Sequence, residues 1–331
     1  MVRAIALLLV LSACGEDLAQ RRPPAAKRES LFPKIGARVN LQPQSMAQFF
    51  VDVRNESQLL SAVATLAGST GNCYGKGINV VAPITLTQAL VLTAGLNDGL
   101  TISSPGRAAI DAAGFGITVA ADDVVIQDLA FTDLGTFTIS GARAGVSGVT
   151  FTNTKGFSIT GADAIIADIP MMTAATGAGS AFSVNAIGVS ISDVRVAAGD
   201  SVFTSGMSLG ASAGQVVFEK ANVANGATTS GVLVASPDAV SEIWVLDCFF
   251  PSGVAATAIE ISGQLWVVRG NRLSSSSDIV AGASGGSAVI NGNLFINEID
   301  TSAGTGLNAI VGNVEVTTIT SAGSDQVGLN T

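Results

Sequence analysis

Five aspartates crowd one short stretch of this chain: Asp111, Asp122, Asp123, Asp128 and Asp133. Carboxylates at such density suit two kinds of chemistry. A pair held roughly 5–9.5 Å apart can cleave a glycosidic bond, one acting as acid and the other as nucleophile or base. Clustered oxygens can also hold Ca²⁺. On the first reading Asp111, Asp122 and Asp123 are the candidate catalytic residues. Against it, Asp122-Asp123 has the make-up of a turn, and Asp128 matches aspartates elsewhere in the chain that have no acidic neighbours. The chain contains no histidine, so imidazole acid–base catalysis and His-activated nucleophiles are excluded. Gly282-Ala283-Ser284-Gly285-Gly286 lacks the lysine and following helix of a phosphate loop and reads as turns. No cofactor and no metal-ligand motif is implied.

What would position these residues is a repeat. Asp128 is flanked by Val124 and Ile126 before it and by Leu129 and Phe131 after it. The same template recurs at Gly148, at Asp168 (Ala164, Ile166, Ile169, Met171), and at Asp193, Lys220 and Asp247. With slippage it continues at Gly270, Gly292 and Asn313, the anchors lying 20 to 27 residues apart. Apolar residues two apart mark a strand with one buried face. The phase jumps across each anchor, so the anchor is a tight bend between two inward-facing strands. Asp, Asn and Gly tolerate the positive φ that such a bend needs. Two strands, a bend and a variable third side make one coil of a parallel β-solenoid. Nine or ten coils at about 4.8 Å each give a rod of roughly 45 Å.

The phase also says which residues point outward. Three residues before the anchors stand Val125, Gly145, Ile165, Ser190, Val217, Trp244, Val267 and Val289, mostly apolar where a solvated strand should be polar. An apolar outward column marks a contact surface. Val125, Ile165, Val217, Val267 and Val289 are therefore a candidate oligomer interface, unless the long inserts before Asp193 and Lys220 fold over them. Trp244, Phe249, Arg269 and Arg272 are outward aromatic and basic residues in neighbouring coils. Aromatic faces stack on sugar rings and arginine supplies forked donors, so these four are a candidate glycan-binding patch. Trp266 falls on an inward position.

Only 12% of residues are charged and 5% aromatic, while small residues abound, as thin stacked coils require. A net charge of −9 disfavours nucleic acid as a partner. Cys73 and Cys248 lie several coils apart, too far for a disulfide.

Residues 1–14 read as a signal or hydrophobic anchor: Arg3, an apolar run, then Leu11-Ser12-Ala13-Cys14. That tetrapeptide resembles the lipobox of bacterial lipoproteins, which implies lipidation at Cys14. Uncleaved, the segment would instead be an anchor within an assembly. Residues 15–48 are polar and proline-rich and read as a flexible linker. The solenoid then spans 49–320, with a tail over 321–331. Phe49 to Val53 should be its first strand. The apolar spacing from Leu59 to Leu66 predicts a short helix plugging the first coil.

The order of that strand, the Asn55-Glu56-Ser57-Gln58-Leu59 helix start, Leu100-Thr101-Ile102 and Ala109-Ile110-Asp111-Ala112-Ala113-Gly114 resembles the right-handed parallel β-helix proteins of the pectate-lyase-like superfamily. The resemblance covers roughly residues 50–320. It implies an all-β, right-handed, single-stranded parallel β-helix with an N-terminal capping helix. That superfamily includes polysaccharide lyases and hydrolases, phage tailspikes and adhesins. Its pectinase-like hydrolases carry a His-Gly motif, which this chain lacks. The resulting expectation is a non-enzymatic extracellular protein: a tailspike- or fibre-like virion or cell-surface component that contacts glycan and assembles as a homotrimer. The alternative is a lipid-anchored bacterial surface protein with polysaccharide lyase or glycosidase activity. Partners would be a second copy, glycan or other surface proteins, with membrane contact only through the N-terminal segment.

Overall fold

A computed structural model of the chain describes residues 49–331, apart from 69–70, 229–232, 236–241, 251–256, 264, 275 and 286. The segment expected to be a signal or anchor, with Cys14, and the expected linker lie outside the described residues.

All but one of the bends fall where the template places them. Asp128, Asp168, Asp193, Lys220 and Asp247 hold φ between 51° and 55°, and Gly148, Gly270, Gly292 and Gly312 hold φ between 63° and 69°. A left-handed residue turns the chain sharply without breaking the inward alternation on either side. The strand before each bend, such as Val125–Gln127, Gly145–Ser147 or Trp266–Arg269, stacks in parallel on its counterpart in the next coil. So do those after the bend, such as Ala130–Leu134 and Thr150–Thr154. The variable remainder forms a third face, an eleven-stranded parallel sheet that includes Ile117–Val119, Phe137–Ile139 and Phe157–Ile159. The first two faces merge into one eighteen-stranded sheet because Ile165–Ala174 and Ser190–Val196 run through the bend unbroken. The described residues form an all-β parallel solenoid of about ten turns, a right-handed β-helix with one helix among them.

That helix, Glu56–Thr65, starts because the Asn55 side chain accepts from the Gln58 amide, satisfying an orphan donor of the first turn. Leu59, Ala62 and Val63 are buried in the same core as the coils, so the helix covers the first coil as expected.

Inside, the core changes character along the axis. Phe131, Phe137, Phe151, Phe157, Phe182 and Phe218 form a continuous file of rings with centroids 5.0–6.5 Å apart. Farther on, Asn271, Asn293, Asn313 and Asn330 form a ladder. The side-chain amides of Asn271, Asn293 and Asn313 each donate both to the next rung and back to a backbone carbonyl of the preceding coil, such as Val245 or Val268.

Three details depart from the sequence reading. Asn313 is not the bend; Gly312 is, and Asn313 occupies the buried rung after it. Met171 is exposed and Met172 buried, because a register shift between Ile169 and Met172 moves the inward phase by one residue. The coils also continue past residue 320, since Gln326–Gly328 adds a strand to the first face. Cys73 and Cys248 are buried free thiols, and burial pushes the Cys248 thiol up to about 12. Trp266 is buried and donates its indole N–H to the Ser262 carbonyl at 2.7 Å.

Candidate functional site

The aspartates are dealt out to different corners of the coil. Asp122 and Asp123 sit where the third face turns into the first, just before Val125–Gln127. Asp128 is the bend between the first and second faces. Asp111 closes a second-face strand, Ala109–Asp111, and its carboxylate accepts from the Ala113 amide at 2.9 Å to shape the next turn. The third-face strand Ile117–Val119 therefore separates Asp111 from Asp122 and Asp123 along the coil. Asp133 pairs with the Asn153 side chain one coil on. Among the described residues no group of three or more Cys, Asp or Glu is gathered as metal ligands.

Asp122 and Asp123 acquire partners that the sequence did not reveal. Arg143 grips Asp123 in a bidentate pair, Nε to Oδ1 at 2.7 Å and Nη2 to Oδ2 at 2.9 Å, and reaches Asp122 at 3.8 Å. Tyr74 donates its hydroxyl to Asp123 Oδ2 at 2.5 Å. Its ring lies where a Cβ on Gly99 would come within 2.4 Å, so only glycine at position 99 leaves the ring room. The Arg143 guanidinium holds the Asp123 carboxyl below the usual carboxylate range. The hydrogen bond to Asp123 pushes the Tyr74 phenol up to about 12. An ionised carboxylate occupied by three donors is a fastening across coils. It is poorly placed to protonate a leaving group. Asp122 Oδ1 likewise accepts from the Ala142 amide of the next coil at 2.8 Å.

The aromatic and basic residues are brought together. Phe249 bridges to Arg272 in register, and Arg272 to Leu294, forming one outward column on the second face. Arg272 places its guanidinium 5.4 Å from the Phe249 ring centroid and 5.0 Å from that of Phe295, within cation–π range of both. Phe295 was not expected here. Its φ of 59° moves the inward role to Ile296 and leaves the ring outside. Around the bend, Trp244 pairs with Val267 and Leu246 with Arg269 on the first face. Trp244 and Arg269 thus flank the corner from one side while Phe249, Arg272 and Phe295 flank it from the other.

Val125, Ile165, Val217, Trp244, Val267 and Val289 do share one column, paired coil to coil through Gly145 and Ser190. Its exposure is uneven: Val217 is only 7% exposed, Val125, Ile165 and Val267 are half-buried, and Val289 is 43% exposed.

No family model matches the chain, and no curated protein does. Among solved structures it is similar to an alginate lyase from Paenibacillus, at 15% identity and a TM-score of 0.46, over 86% of this chain and 99% of that one.

Proposed function

We propose that this chain is a non-enzymatic extracellular rod, of the tailspike or fibre kind, that contacts glycan through the corner formed by Trp244, Phe249, Arg269, Arg272 and Phe295. The observation that carries the reading is the guanidinium of Arg272 shared between two surface rings. Such packing holds a planar donor fork in place, so little rotamer freedom is lost when it bonds sugar hydroxyls. Phe249, 37% exposed, offers an apolar ring face beside it. The engagement of Asp123 by Arg143 and Tyr74 fits a structural role for the acidic corner.

The test is a glycan-array screen of the full chain, followed by titration of the best hit. Arg272→Ala and Phe249→Ala should each weaken binding about tenfold, which corresponds to about 1.4 kcal/mol. Absence of any binding, or binding untouched by both substitutions, would refute the reading. A glycan-degradation screen with Asp111, Asp122 and Asp123 all changed to Asn tests the enzymatic alternative.

Self-association is a second reading, favoured by the shared register of Val125, Ile165, Val217, Val267 and Val289. A homotrimer of parallel rods would join along this column, and light scattering of the purified chain distinguishes trimer from monomer. Loss of membrane partition in Cys14→Ser would mark lipid anchoring of the same rod.

A further inference from the structure

The third face carries a second kind of surface. Its outward positions in five successive coils are Thr118, Thr138, Ser158, Ser183 and Ser208, paired directly one above the next. No bulge interrupts these pairings, whereas the strand Ile165–Ala174 shifts register against each of its neighbours past the bend. Residues two before and two after each of the five are only Gly, Ala, Ser, Thr or Asn. Over these five coils the face therefore carries no charge in a chain of net charge −9, whereas farther along the same sheet Glu260, Asp278 and Glu298 make it acidic. All five are partly or fully exposed. Among the described residues none of their hydroxyls is hydrogen-bonded to protein.

We propose that this face binds the surface of ice. Parallel strands set the hydroxyls about 4.7–4.9 Å apart. Water oxygens joined tetrahedrally by O–H···O bonds of about 2.75 Å have their second neighbours about 4.5 Å apart. A file of five hydroxyls nearly matches that repeat and can stand in for a row of lattice oxygens, each able to donate once and accept twice. Charged side chains would orient first-shell water away from the tetrahedral pattern, and these five coils have none on this face. Packing over the phenylalanine file fixes the strand spacing from within: Phe137, Phe157 and Phe182 flank Thr138, Ser158 and Ser183 on the inward side. The inference does not depend on the glycan-binding corner, which lies at another edge of the coil.

The experiment follows ice-grain coarsening in frozen sucrose films containing the full chain, with serum albumin at equal mass as control. The chain should suppress coarsening. Thr138→Lys and Ser158→Lys should each raise the concentration required at least tenfold without changing the thermal unfolding midpoint, because both side chains point outward. Trp244→Ala should retain full suppression. Coarsening equal to that with albumin would overturn the proposal. So would suppression retained by both lysine variants, or lost equally in Trp244→Ala. Binding to crystalline cellulose without an effect on ice would also overturn it, assigning the face to neutral polysaccharide.

Discussion

From Phe131 to Phe218 the interior is a file of rings, and from Asn271 to Asn330 it is a file of amides. Both fill the inside of the solenoid, in different coils, and they constrain it differently. Ring contacts are non-directional, so coils of unequal length stack on them; Phe157 and Phe182 stand 25 residues apart and still pack at 5.3 Å. Amide rungs need donor and acceptor aligned in every coil, and successive rungs are 22, 20 and 17 residues apart with bonds of 2.9–3.0 Å. The long inserts before Asp193, Lys220 and Asp247 all precede the ladder. The aromatic half tolerates decoration at its corners; the amide half enforces register.

The largest expected effect comes from emptying the ring file. Phe151 contacts Phe131, Phe137 and Phe157, and Phe151→Ala should cost about 3–5 kcal/mol in urea unfolding. A loss under 1 kcal/mol would show that the file is not what holds those coils. Next is Asn293→Ala, which orphans the Asn271 backbone N–H and one of its two side-chain N–H donors, the other staying on the Val245 carbonyl. Each buried donor left unpaired costs about 1–3 kcal/mol. Hydrogen exchange should accelerate around residues 268–313 and not around 130–160. Acceleration in both regions would dissolve the distinction between the halves.

The Tyr74–Asp123–Arg143 fastening belongs to the aromatic half and allows a pH test. Tyr74 is the sole tyrosine, so tyrosinate absorbance reports it alone. It should titrate near 12, and Asp123→Asn should bring it back toward 10. A phenol raised in the fold stabilises fully below about pH 10, and that contribution fades as pH rises to about 12. Asp123 acts with the opposite sign: its depressed carboxyl contributes above the ordinary carboxylate range and is lost as pH falls through its folded value. The smallest effect is at Lys220, a left-handed bend with a side chain that gains nothing there, its contact with Asp193 being 4.0 Å and exposed. Lys220→Gly should leave stability unchanged or raise it by about 0.5–1 kcal/mol in the same unfolding assay.

The coil was legible because its two determinants are local. A left-handed residue and the inward pairs beside it lie within eight residues, as from Val124 to Phe131. The template failed where one residue type has two uses. Asn313 looks like a bend residue, yet the repeated Gly-Asn pairs at 270–271, 292–293 and 312–313 separate bend from rung once read together. Met171 failed because a bulge leaves no mark in the apolar alternation. Of the corner proposed to contact glycan, the outward placing of Phe249 and Arg272 was legible from phase, while Phe295 was hidden by its own positive φ. Arg143 and Tyr74 were not legible. Their contacts with Asp123 span 20 and 49 residues and exist only once coil lengths are known.

The most direct test of the proposed function is to titrate the best array glycan into the unaltered chain, Arg272→Ala and Thr138→Lys side by side. The account predicts binding weakened about tenfold in Arg272→Ala and unchanged in Thr138→Lys. Equal affinities for all three, or a loss confined to Thr138→Lys, would contradict it.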